Sequence, residues 1–376
     1  MKTIQRIKIS RLFTGEEFLT NQVVTITNGQ ITALAQESAV YDLALDGLIV
    51  PGYIDLQVNG GGGVLFNALP TVDSLKTMML AHARFGTTAM LPTLVTDNIA
   101  VMQQAADAVT QAIKANIAGI IGIHFEGPHL SAAKKGVHAA KFMRAISDAE
   151  WQIYSRKDLG QILVTIAPEA VSIDDIKRLV SLGVKVCLGH SNASFEVAEQ
   201  AIKAGADGIT HLYNAMSPLQ GREPGVVGAA LLNDDVSCGL IVDGHHVHYH
   251  SCQLAIKTKP LGKVFLVTDA MPPVGTALTE FDFFAKKVSL VDGKLTADSG
   301  ELAGSALDMA TAVKNCYQHL NISLAQALNM ASLYPASYIG QDAQRGKLAV
   351  GYQADFVLLD DDLKVKATWI AGEQVF

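Results

Sequence analysis

Two hydrophobic patterns alternate along the middle of the chain. Short runs that are apolar at almost every position are separated by longer stretches, such as SLKTMMLAHARFG, AVMQQAADAVTQAIKAN, DDIKRLVSLG and SFEVAEQAIKAGA, in which apolar residues recur at helical spacing and stop near Gly or Asn. Strands buried on both faces give the first pattern and helices lying on a sheet give the second, so their alternation predicts repeated βα units. Eight strand-like runs can be read: LIVPGYIDLQVNG, TTAMLPTLVT, GIIGIHFEG, ILVTIAPE, GVKVCLGH, GITHLYN, VSCGLIVDG and KVFLVTDAM. Eight is the number that closes a parallel barrel, and the expected fold is an α/β (β/α)8 TIM barrel over residues 48–345 with its helices as an outer ring. A doubly wound open sheet is the alternative.

The two ends of the chain follow a different rule. Residues 1–47 carry short alternating segments, IQRIKIS, QVVTITNG and QITALAQ, broken by turn formers such as Asn28-Gly29. The same style returns after Gly346 in KLAVGYQADFVLLD and KVKATWIAGEQVF. Residues 1–47 and 346–376 are therefore expected to pair into one small β-sandwich domain.

Composition agrees with this division. A barrel of roughly 250 residues plus a small module accounts for 376, and 49% hydrophobic against 17% charged residues leaves ample material for a large core. A net charge of -7 offers no general attraction for nucleic acid or an anionic membrane, so an anionic substrate must be met by particular residues. No apolar run reaches about 18 residues and the opening MKTIQRIKISRLF lacks a secretory pattern, which makes the cytoplasm the expected location. Cys187, Cys238, Cys252 and Cys316 form no C-x-x-C pair and read as buried free thiols.

The chemistry is written at the downstream ends of the strand-like runs. Glu126, His190, His211 and Asp269 each close a different run, and in a barrel those ends open on one face, so residues distant in sequence converge there. Two imidazoles and a carboxylate, Glu126, suit one divalent ion of the zinc type and leave a position for water. Asp269 can then take the water's proton and deliver it to a leaving amine. Single residues at strand ends also serve as loop caps, but four together point to a metal-assisted hydrolase.

The segments PGYIDLQVNGGGG, HFEGPHL, GHSNAS, THLYNAMSPLQGREPG, DGHHVH, LVTDAMPP and GKLAVGYQADFVLLD cover nearly the whole chain in order. Together they resemble the N-acetylglucosamine-6-phosphate deacetylases of the amidohydrolase superfamily. The resemblance implies a distorted barrel with a β-sandwich built from both termini, a homodimer, and hydrolysis of N-acetylglucosamine 6-phosphate to glucosamine 6-phosphate and acetate. It implies Glu126, His190 and His211 as ligands of one ion, most simply Zn2+, Asp269 as base and acid, and His138 as the group that polarises the amide carbonyl. Phosphate contacts fall by motif on the amides of Asn214 and Ala215, on Arg222 and on His246, with one cationic group reaching in from the partner subunit. His245, His248 and His250 crowd the same stretch as His246.

Two departures matter. Many amidohydrolase barrels carry His-x-His in the first strand, where this chain has Gln57-Val58-Asn59, and the fourth run lacks a lysine that could bridge two ions. Amides are poor ligands for a transition metal, so Gln57 and Asn59 read as the remnant of a second metal position. His129 stands where relatives often have a bulky aromatic residue, a change expected to alter the pocket or to add an adventitious ligand. The Gly60 to Gly63 run reads as a turn near the site, and GSALDM at 304–309 as the opening of a late helix that resembles a segment closing over the sugar. Three other readings stay open: a deacetylase of the galactosamine epimer, another amidohydrolase acting on cyclic amides or acylated amino acids, and a sugar-phosphate binder without catalysis.

Overall fold

The computed structural model describes residues 4–36, 40–284 and 286–376. At its centre lie eight parallel strands: β1 Tyr53–Val58, β2 Thr87–Val95, β3 Gly122–Glu126, β4 Gln161–Ile166, β5 Lys185–Leu188, β6 Gly208–Ile209, β7 Ser237–Leu240 and β8 Val264–Leu266. Each pairs with the next in chain order. A doubly wound sheet would reverse that order partway; this one does not. β8 returns to β1 through a parallel bridge between Val58 and Ala270 and a bond from Asp269 N to Gln57 O of 2.9 Å, which closes the barrel.

The seam is where the barrel is distorted. Pairing of β1 with β2 slips in register at Ile54 and again between Asp55 and Val58, and the Asp55 carboxylate fills in for missing ladder bonds. It accepts from the amides of Thr268 and Gln57, each at 3.2 Å, and from the Thr268 hydroxyl at 2.5 Å. Burial raises its pKa to about 7, because these bonds only partly offset the loss of water.

The outer ring follows the helical spacing read from the sequence. Helices Val72–Ala83, Ile99–Lys114, Ile173–Ser181 and Phe195–Lys203 begin at Thr71, Asn98, Ser172 and Ser194, whose side chains accept from backbone amides of the first turn. Such caps satisfy donors that a helix cannot satisfy internally. Every residue of β1 and β2 is buried, as strands enclosed by helices require. All four cysteines are buried and free.

Both chain ends do join in one sheet. In spatial order it runs Glu373–Gln374, Val365–Ile370, Phe356–Leu359, Leu43–Pro51, Ile4–Phe13, Phe18–Thr27 and Gln30–Gln36. Ile7, Ile9, Val24, Ile26, Ile49 and Trp369 gather into a core separate from that of the barrel, with Trp369 stacked on Phe356 at 4.7 Å.

One element escapes the sequence reading. After β8 the chain builds a three-stranded antiparallel sheet, Glu280–Phe283, Lys286–Val291 and Lys294–Ala297. Phe283, Val288 and Leu295 pack there with Leu65, Val95 and Met271. Its hairpin turn is Asp292-Gly293, both at positive φ, between two short alternating runs.

Candidate active site

Glu126 is the last residue of β3, whereas His190, His211 and Asp269 lie two or three residues beyond β5, β6 and β8. These three adopt left-handed backbone conformations, with φ of 47°, 32° and 54°. Non-glycine residues rarely do so, and each such turn costs on the order of 1 to 3 kcal/mol. The strand ends turn sharply there, and the four side chains meet across the mouth.

Glu126 Oε1 lies 3.0 Å from His190 Nε2 and 3.0 Å from His211 Nε2, and the two imidazole nitrogens are 3.1 Å apart. His190 Nδ1 donates to the carbonyl of Lys134 at 2.9 Å, which leaves Nε2 of the neutral ring as a bare lone pair aimed at a carboxylate oxygen. Two acceptors face each other stably only with a cation or proton between them. Donors bound at 2.0 to 2.1 Å around a tetrahedral ion stand about 3.3 Å apart, so the triangle is close to one face of a metal tetrahedron. The donor set and its geometry fit a divalent ion. A second set, Glu126, His138 and His190, lies within 4.8 Å. It is looser, and His138 Nδ1 is already engaged by the Thr96 hydroxyl at 2.8 Å, so the first set is the better cage.

Gln57 and Asn59 reach the carboxylates of the same cluster. The Gln57 amide donates to Glu126 Oε1 at 3.2 Å and to Asp269 Oδ1 at 3.1 Å, and Asn59 Nδ2 donates to the same Asp269 oxygen at 2.6 Å. Neutral N–H groups therefore hold these two carboxylates in place. Burial raises the Asp269 pKa to about 6, helped by the negative charge of Glu126. Burial also pushes Glu126 upward, but where protons and not an ion lie between the three groups, the bonds from His190 and His211 override it and hold that carboxyl well below its usual range.

His138 is carried by the loop between β3 and β4, and its ring lies 4.3 Å from that of His190. The loop is pinned by Arg144, which bonds to Glu150 and to the carbonyls of Asp97 and Phe142 at 2.6 to 2.7 Å. Thr96 sits above Gly127, whose φ is +88° and where a Cβ would come within 2.3 Å of the Thr96 hydroxyl. Burial drives the His138 pKa down to about 3, so the ring is neutral. Beneath the cluster Thr93, His124, Thr165 and Thr210 form a buried polar chain through the barrel, with links of 3.3, 2.8 and 2.6 Å.

Above the cluster opens a cavity of about 380 Å³. Glu126, His138, His190, His211 and Asp269 line its floor, Val95, Met271, Phe283 and Leu302 give it an apolar wall, and Asn214, Ala215 and His246 complete the lining. The inserted three-stranded sheet thus supplies part of the wall through Phe283. Gly304 also lines the cavity, and Ser305 donates its amide to the Asp269 carbonyl, so the GSALDM stretch runs beside β8 before Asp308 caps helix Met309–His319.

Three further placements bear on the expected contacts. Arg222 is exposed and does not line this cavity, because the loop carrying it turns outward before helix Gly225–Leu232. The Asn214 amide is taken by the His211 carbonyl at 3.0 Å and its side chain by the carbonyls of His211 and Leu212, so of the two amides proposed for phosphate only that of Ala215 stays open to it. His129 is no ligand: it is fully buried, with Nδ1 on the Arg144 carbonyl at 2.8 Å and Nε2 on the Tyr154 hydroxyl at 3.0 Å. Sequence reasoning also missed Thr96 and the Lys134 carbonyl, since neither carries a signal apart from the partners folding brings to it.

Residues 48–375 match the amidohydrolase family. An N-acetylgalactosamine-6-phosphate deacetylase of Shewanella sp. (strain ANA-3) is 54% identical over 330 residues, 88% of this chain and 84% of its own. The N-acetylglucosamine-6-phosphate deacetylase of Haemophilus influenzae is 35% identical over 328 residues, 86% of each chain. The crystal structure of N-acetylglucosamine-6-phosphate deacetylase from Pasteurella multocida superposes with a TM-score of 0.95 over 99% of both chains, at 36% identity.

Proposed function

The chain belongs to the amidohydrolase family, and on that basis we propose that it hydrolyses N-acetylglucosamine 6-phosphate to glucosamine 6-phosphate and acetate. The observation that carries this reading is the triangle of Glu126, His190 and His211 with Asp269 held beside it, at the floor of a cavity also lined by Ala215 and His246.

One divalent ion per chain, which we take to be zinc, would polarise the acetyl carbonyl and acidify a water when held by Glu126, His190 and His211. Asp269, oriented by Asn59 and Gln57, accepts a proton from that water and returns it to the sugar nitrogen as the C–N bond breaks. The water oxygen stays with the acetyl carbon, and the products are acetate and a free amine. Burial and the charge of Glu126 raise the Asp269 carboxyl above the usual carboxylate range, which favours its taking up a proton. His138, kept neutral by burial, donates from Nε2 to the acetyl oxygen where negative charge develops, provided the Thr96 hydroxyl donates to Nδ1.

The phosphate is received by the Ala215 amide and His246, and Arg222 reaches the cavity of a second copy in a homodimer. Its outward position in its own chain suits that role. Among the described residues no helix is long and apolar enough to cross a membrane; the cytoplasm, where sugar phosphates are retained, is the proposed location.

A second reading concerns only the ring. The relative at 54% identity is named for the galactosamine epimer, which favours N-acetylgalactosamine 6-phosphate. Acetate release from both phosphorylated epimers and from the plain sugars decides between them. A higher kcat/KM on the gluco compound is expected, with plain sugars poor; equal rates on plain and phosphorylated sugars would undo the phosphate assignment.

A further inference from the structure

We propose that Lys134 is a phosphate-binding residue of its own chain, an inference that rests on the reading of a phosphorylated substrate. Among the described residues that line the cavity it is the only lysine or arginine. Three carboxylates share that lining: Glu126, Asp269 and Glu301. Glu301 is paired with Lys286, which does not itself line the cavity. A phosphate monoester entering such a space is repelled unless a fixed cation meets it, because charges interact strongly where little water remains. An ion held at the floor by Glu126, His190 and His211 would serve the acetyl group and not the phosphate. Within one chain the contacts assigned above are the Ala215 amide and His246, whose Nδ1 is held by Asp243 at 2.6 Å, while Arg222 would come from the second copy, so Lys134 is the cation its own chain can add.

Lys134 is also well placed mechanically. It ends a single 3-10 turn, Ala132–Lys134; its amide bonds to the Ser131 carbonyl at 3.0 Å and its own carbonyl receives His190 Nδ1 at 2.9 Å. Both bonds are made by the backbone. The half-buried side chain is left outside that framework, with a flexible four-carbon stem to bring its ammonium to the anion. One residue thus orients a metal-facing imidazole through its carbonyl and meets the substrate through its side chain. The neighbouring Lys135 does not line the cavity and serves as an internal control.

Because the backbone bond to His190 survives substitution, Lys134→Gln tests the side chain alone. On the metal-loaded protein it is expected to raise KM for N-acetylglucosamine 6-phosphate about ten- to a hundredfold, the range for losing a charged hydrogen bond, with kcat within about threefold of the parent. Hydrolysis of plain N-acetylglucosamine, bound metal and the Lys135→Gln variant should be unchanged, and Lys134→Arg should recover most of the loss. An equal fall on plain and phosphorylated sugars, or no change in KM, overturns the proposal. Calorimetric titration of inorganic phosphate keeps the two readings apart: if the parent turns over no sugar phosphate yet Lys134→Gln weakens phosphate binding about tenfold, the substrate reading fails and Lys134 stands. Equal phosphate binding by parent and variant removes Lys134.

Discussion

The hydroxyl of Thr96 lies 2.8 Å from Nδ1 of His138. It also lies 3.3 Å from the Glu126 carbonyl, and a hydroxyl has one proton to give. Given to Nδ1, that proton leaves His138 with Nε2–H facing the cavity; given to the carbonyl, it leaves a bare nitrogen there. Thr96→Val removes the choice while keeping the volume. We expect kcat to fall about 10- to 100-fold, typical for a group that orients a site residue, with KM little changed and Thr96→Ser restoring most activity. Steady-state kinetics of the three proteins checks this, and a fall in KM alone would contradict it.

Asp269→Asn should retain the ion and lose turnover by about 10³-fold, within the range for removing a proton-transfer group. Its neighbours Asn59 and Gln57 offer only N–H groups to that position, so an amide there cannot replace the carboxylate. Metal content together with acetate release separates loss of chemistry from loss of the ion.

Elemental analysis should find one ion per chain, because Gln57 and Asn59 offer N–H donors and no metal-binding atom to the carboxylates of Glu126 and Asp269. Removing the ion with a chelator should abolish activity and lower the melting temperature, since an ion present at about a thousand times its Kd stabilises the fold by about 4 kcal/mol. Two ions per chain would overturn the reading of Gln57 and Asn59.

Stability should fall in mild acid. His82, His124 and His129 are buried and neutral, each with its pKa lowered to about 4 by burial. A histidine depressed in the folded state contributes stability that is fully present above its unfolded value of about 6.5 and lost as pH falls through 4; at pH 5 each has lost about 2 kcal/mol. Asp55 acts in the opposite sense: raised to about 7, it contributes below its unfolded value and loses that contribution as pH rises. His138 adds to the loss and Asp269 acts with Asp55, and four histidines outweigh two aspartates. Denaturant unfolding at pH 7.5 and 5 should show the loss, and His82→Gln, which can still donate to the Gly60 carbonyl, should reduce it.

The barrel was readable because its strands are buried on both faces and its helices on one, so each element carries its own periodicity. The polar residues closing the apolar runs were readable for the same reason, since a buried run that ends on Glu, His or Asp is conspicuous. The inserted sheet was missed although Asp292-Gly293 marked its hairpin. Its alternation is short, and its pairing with the cavity wall is expressed only once Phe283 meets Val95 and Met271. His129 misled because a lone buried histidine looks the same in sequence whether it faces a metal or, as here, Arg144 and Tyr154.

By itself the sequence determined the eight βα units, the union of the two ends and the identity of the four residues at the barrel mouth, because local periodicity and strand ends are properties of contiguous residues. Tertiary structure alone decided that Glu126, His190 and His211 form a triangle near 3 Å on a side, that Gln57 and Asn59 hold Asp269, and that Lys134 and not Arg222 lines the cavity of its own chain. Those relations join residues up to 212 positions apart. They depend on left-handed turns and on the register of a distorted seam, and no local pattern in the chain specifies either.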